Sequence, residues 1–130
     1  MRAYLVASTV ILASACSQVD PFTAEERADI DCLAAITVVE ITNAIRDGTE
    51  NGLGDAELAA IRPAKIADAI ARLDEKYPNR MDEAYLEYDI NNRLGKIEEA
   101  IRSDDPLSVE SLIMTDTLEL GRTCAFGGVE

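Results

Sequence analysis

The sequence predicts an all-α fold, a four-helix bundle-like domain whose second helix is split or kinked at Pro63. Three observations lead there. Apolar residues recur at spacings of three and four through most of the chain after residue 22, the mark of helices with one buried stripe. Helix-capping residues stand at the start of these periodic stretches, and Gly or Pro clusters stand between them.

Thr23-Ala24-Glu25-Glu26 has the form of a capping box, with Thr23 as N-cap and Glu26 reaching back to its backbone N–H. The first helix is expected to run from there to Arg46, burying Ile30, Leu33, Ala34, Ile41 and Ile45. Val38, Val39, Ile41 and Thr42 are β-branched and make a strand at 36–42 the competing reading. The capping box and the acidic turn after it decide for helix. Asp47-Gly48 is predicted to end the helix, with a turn over 49–54 (TENGLG) and Asp55 capping the next element. Proline costs about 3 kcal/mol inside a helix but suits a first turn. The following segment therefore divides into a short helix over 56–61 and a longer one over 63–77, with Ile66, Ile70, Leu73 and Tyr77 on one face.

Asn79 is the expected N-cap of the next long helix. It carries two apolar rows, Met81, Ala84, Tyr85 and Tyr88 beside Leu86, Ile90, Leu94, Ile97 and Ile101, which predict a central position with a neighbour on each side. Asn91, Asn92 and Gly95 mark a place where it could bend. Asp105 as cap and Pro106 as first helical residue open the last helix, which is expected to stop at Gly121. Leu107, Val109, Leu112, Ile113 and Leu120 are its core candidates, with Met114 and Leu118 in second place. Residues 23–124 thus form one domain and 125–130 a flexible tail.

The first 15 residues differ from the rest. Arg2 precedes an uncharged apolar run, AYLVASTVILASA, which is shorter than the roughly 20 residues a membrane-spanning helix needs. A positive start, a short apolar run and small residues at its end are the layout of a secretory signal peptide, 1–15, followed by a tether, 16–22. Ala13-Ser14-Ala15 fits cleavage before Cys16. Leu12-Ala13-Ser14-Ala15-Cys16 also resembles the lipobox of bacterial lipoproteins, although the usual leucine position is held by Ala13 and Leu12 stands one place earlier. That resemblance implies lipidation of Cys16 and, with Ser17 next, an outer-membrane destination facing the periplasm. Plain cleavage would leave a soluble periplasmic or secreted protein. The chain has three cysteines, Cys16, Cys32 and Cys124. A lipid on Cys16 would let Cys32 and Cys124 form one disulfide in an oxidising compartment, with no odd thiol left. The region after the signal resembles small exported helical bacterial proteins that keep one cysteine in the first helix and another near the C-terminus, with a segment like Ala71-Arg72-Leu73-Asp74. That resemblance implies a fold type and no activity.

The formal charge is −13, and removing Arg2 with the signal deepens it by one. Such a surface repels nucleic acid and anionic headgroups and suits an envelope protein partner with a basic surface. The chain contains no His, which removes the commonest general base near neutral pH. Acidic residues are so plentiful that no particular carboxylate pair stands out, and NGLGD lacks the spacing and the lysine of a phosphate loop. The segment from Asp47 resembles an EF-hand calcium loop, with Asp47, Thr49, Asn51, Gly52 and Asp55 at ligand and turn positions. Its twelfth position, where a bidentate glutamate belongs, is Leu58. An Asn-Gly turn is the preferred reading, and no cofactor, metal or catalytic residue is expected. The function expected from the sequence is that of a non-enzymatic, lipid-anchored envelope protein acting through protein contact or as a structural or stress accessory. The alternative is a small periplasmic binding protein for a cation or an apolar ligand held between helices.

Overall fold

The computed structural model describes residues 22–79 and 83–124. The expected signal and tether up to residue 21, and the tail from 125, lie outside them. The described residues form helices α1 (Ala24–Glu50), α2 (Asp55–Ala59), α3 (Ile61–Lys76), α4 (Glu83–Ser103) and α5 (Val109–Thr123), with no strand among them. This is the all-α, four-helix architecture the sequence predicts, with α2 and α3 as the two parts of the second helix, bent by 26°. Pro63 is the third residue of α3. It has no N–H to give to Ala59, so the hydrogen-bond ladder yields at Ala60 and restarts.

The capping box opens α1 as expected. Thr23 N–H donates to Glu26 Oε1 at 2.9 Å and Glu26 N–H donates to Thr23 Oγ1 at 3.1 Å. The β-branched stretch is helical, and Thr37, fully buried, satisfies its hydroxyl by donating to Leu33 O at 2.7 Å. The end of α1 differs from expectation: Gly48 does not stop it. The helix continues to Glu50, Asn51 is the C-cap, and Gly52 takes the left-handed φ of 80°. Leu53 N–H donates to Gly48 O and Gly52 N–H to Thr49 O, the paired bonds of a Schellman motif. Leu53 folds back over Gly48, where a Cβ would come within 2.7 Å of its Cδ1. The Asn-Gly pair is therefore the helix stop, and Gly48 is the bare backbone on which the stop packs. A Cβ at Gly52 would touch nothing within 4 Å, so Gly52→Ala should cost only the left-handed backbone penalty. That penalty is about 1 to 2 kcal/mol in a chemical-denaturation experiment.

Gly54, not Asp55, is the N-cap of α2, and its N–H donates to Glu57 Oε1 at 2.9 Å. Asn79 is not a cap. It sits in the turn after α3 with φ 58° and donates its N–H to Asp74 Oδ1, while α4 begins at Glu83. Leu86, Ile90, Leu94, Ile97 and Ala100 are buried, whereas Ala84, Tyr88 and Ile101 are exposed and Tyr85 is half-buried. Met81 lies outside the described residues. α4 thus buries one row, and it runs unbroken through Asn91, Asn92 and Gly95, all of which face outward.

Two helices are central: α1 packs against α3, α4 and α5, and α4, with a neighbour on each side as the sequence predicts, against α1, α3 and α5, with α1 the more extensively packed. Its length and composition explain this. Its 27 residues span about 40 Å, and Ala34 and Ala35 beside Leu33 and Val38 let neighbours approach on more than one side. Lys76 meets Asp29, Arg93 meets Asp31, Ile97 and Ile101 share a cleft with Ile41 and Ile45, and Gly121 lies on Ala35. α1 and α4 therefore run one way and α3 and α5 the other.

The last helix departs most from expectation. Asp105 and Pro106 form a turn, with Leu107 N–H donating to Asp105 Oδ1 at 3.0 Å and Ser108 N–H to Asp105 O at 3.1 Å. Ser108 then caps α5 by accepting from Ser111 N–H. Starting later, the helix presents a different face. Ser111 and Thr117 are buried, Met114 and Leu118 pack on the core, and Ile113 and Leu120 are half-buried. Leu107, Val109 and Leu112 are 83%, 64% and 54% exposed. Gly121 does not stop α5, which continues to Thr123. It allows the close approach of two helices: a Cβ there would lie 2.6 Å from Ala35 O and 2.8 Å from Val39 Cγ2.

Candidate functional site

A disulfide joins Cys32 in α1 to Cys124 at the C-cap of α5, with Cα atoms 5.9 Å apart and a sequence separation of 92. The bridge sits where α5 already lies against α1 through Gly121, so packing and covalent bond hold the same pair of helices. Cys16 lies outside the described residues.

The same end of the bundle holds Phe22, the first of the described residues. Phe22 packs on the core and stacks at 5.4 Å from the Tyr85 ring. The Arg27 guanidinium lies 5.2 Å from the Phe22 ring centre and 4.6 Å from that of Tyr85, and hydrogen-bonds to the Tyr85 hydroxyl. Cation–π contacts of this kind contribute about 0.5 to 1 kcal/mol each at exposed sites, enough to fix where the domain begins. Beside them, Asp29 Oδ2 accepts from Lys76 Nζ at 2.6 Å and from the Tyr77 hydroxyl at 2.5 Å.

The hydrogen bond to Asp29 holds the Lys76 ammonium above its ordinary value of 10.5. Burial, then the bond to Asp29, raises the Tyr77 phenol above 10.0. Both groups bind their protons more tightly folded than unfolded. Their contribution is therefore complete below the ordinary values and is lost as pH rises through the raised ones. In melts between pH 8 and 11, the unaltered protein should lose Tm above about pH 10, and Asp29→Asn should flatten that fall.

The calcium candidates do not form a loop. Asp47 and Thr49 lie within α1, Asn51 is its C-cap and donates its side-chain N–H to Asp47 O, and Asp55 begins α2. Among the described residues no group of three His, Cys, Asp or Glu side chains is placed to hold a metal ion, and no helix is long and apolar enough to cross a membrane. An apolar cleft of about 160 Å³ lies between α1 and α4, lined by Ile41, Ile45, Leu94, Ile97 and Ile101. Arg62 and Glu98, paired at 2.9 Å, close one side of it. Small-molecule pockets run from roughly 300 Å³ upward, so this cleft suits only a very small ligand.

The feature that sequence reasoning misplaced is the apolar group at the start of α5. Val109, Leu112, Asp116, Glu119 and Thr123 follow one another at spacings of three and four, and all are exposed. A row that carries two carboxylates after its two apolar residues faces water. Asp116 and Glu119 could have marked Val109 and Leu112 as outward-facing.

No protein-family model matches the chain, and neither a curated protein nor a solved structure is similar to it at a significant level.

Proposed function

We propose that the protein is an exported, non-enzymatic envelope protein, anchored through lipid on Cys16, that acts by contact with another protein. The observation that carries this is the pairing of sulfurs. With Cys32 joined to Cys124, the third cysteine of the chain is the one that closes the signal-like apolar run. Disulfides persist in oxidising compartments, and a single leftover cysteine at a lipobox-like position has a natural use as the acylated residue. From Cys16 to Phe22 an extended chain reaches about 20 Å. The end of the bundle that holds Phe22, Tyr85 and the disulfide would then lie near the outer-membrane surface and the α4–α5 turn would project into the periplasm. The alternative, a small binding protein for a cation or an apolar ligand held between helices, has in its favour open clefts such as the small one between α1 and α4.

Membrane partition in a bacterial host tests the anchor. The unaltered protein should sediment with outer membranes and resist extraction by high salt, and Cys16→Ser should release it to the soluble fraction. Equal solubility of the two forms would reject the lipid, and recovery of both from the cytosol would reject export.

A further inference from the structure

We infer that the outer ridge of α5, from Val109 through Leu112 to Asp116 and Glu119, with Leu107 in the turn just before it, is a docking surface for a basic amphipathic helix of another protein, an inference that rests on the contact function proposed above. Leu107, Val109 and Leu112 are three exposed large apolar side chains within six residues, at 83%, 64% and 54%. Val109 and Leu112 are neighbours on one helix face, continued by Asp116 and Glu119 at the same spacing. Asp104 and Asp105 precede the apolar group in the turn before α5 and are exposed. Arg122 stands three residues past Glu119 in the last turn of α5, and Asp116 borders the α4–α5 cleft with Arg93, whose guanidinium is already paired with Asp31 and Asp89. One strip thus offers an apolar half and an acidic half. A helix with apolar residues at one end of a face and Lys or Arg along the rest matches both halves, the arrangement in which an amphipathic helix is read by its anchors at three- and four-residue spacing.

Charge and register argue against the other occupants. In full overlap, a second copy laid antiparallel along the ridge would set Val109 and Leu112 against Glu119 and Asp116, and a parallel copy would set carboxylate on carboxylate; both desolvate charges without pairing them. A copy staggered to pair only Val109 and Leu112 would leave the acidic half uncovered. An anionic lipid surface is repelled by the same acidic residues, and the ridge's apolar end is the one distant from Phe22, where the tether enters.

The test titrates the full chain with a synthetic 18-residue helix of leucine and lysine, the leucines on one face, and with a leucine–glutamate helix of the same pattern. The lysine peptide should bind and the glutamate peptide should not. V109S/L112S should weaken binding about tenfold or more, since two exposed apolar anchors are lost. D116N/E119N should weaken it several-fold and reduce its salt dependence, whereas D68N/E75N, the same charge change on exposed positions of α3, should leave it within about twofold. These surface changes are checked for retained helicity by circular dichroism. Equal weakening by the two charge variants, or no effect of V109S/L112S, would overturn the surface. So would a dimer in sedimentation, or binding to phosphatidylcholine vesicles, that V109S/L112S abolishes. The anchor is scored separately by Cys16→Ser: a protein that is anchored but shows no peptide selectivity refutes the ridge and leaves the proposed location standing.

Discussion

Replacing both bridged cysteines, C32S/C124S, is expected to lower unfolding stability by about 4 kcal/mol. A cross-link closing a loop of this length removes about 4.5 kcal/mol of chain entropy from the unfolded state, and strain in the folded state usually reduces the gain. Domains of this size are stable by about 5 to 15 kcal/mol, so the variant should be marginal, with Tm lower by about 15 to 25 °C. A reducing agent should bring the unaltered protein to the same Tm and leave the variant unmoved. A loss under about 1 kcal/mol would mean that α5 is held to α1 by packing alone.

The second large effect is a pair of identical substitutions with opposite signs. Gly121→Ala places a Cβ 2.6 Å from Ala35 O and 3.0 Å from Ala35 C. Backbone cannot rotate away as a side-chain tip can. The two helices must separate, at an expected cost of about 2 to 3 kcal/mol by analogy with overpacked cores. Gly95→Ala meets nothing within 4 Å, on the exposed side of α4. Helix propensity alone acts there, and the variant should be more stable by about 0.8 to 1 kcal/mol. Urea unfolding of both variants measures the contrast. If Gly121→Ala is neutral, the close α1–α5 approach is wrong.

These two glycines also show which parts of the fold could be read from sequence. Thr23 and Glu26 form their box within four residues, and Pro63 acts on its own turn, so both were legible. The single buried row of α4 was half legible. Leu86 to Ile97 announced themselves, but Tyr88 and Ile101 are apolar and exposed, and only the placement of neighbours could reveal that. Gly48, Gly121 and the face of α5 were not legible because their reasons are non-local. Gly48 receives Leu53 and Leu58, and Gly121 receives the backbone at Ala35. Buried Ser111 and Thr117 replace the leucines that hydrophobicity would choose, since bulkier residues suit a more distant neighbour. The pairing of Cys32 with Cys124 was legible by elimination once Cys16 was given its own role. The ridge of α5 was hidden because its apolar residues read as core.

Mass spectrometry of the protein extracted from the membranes of its native host tests the central claim most directly. The expected result is a chain beginning at Cys16 that carries a diacylglyceryl or triacyl mass, with the peptides of Cys32 and Cys124 recovered as one cross-linked species that reduction separates. A chain that keeps Met1, with the thiols of Cys32 and Cys124 free to alkylate without reduction, would contradict it.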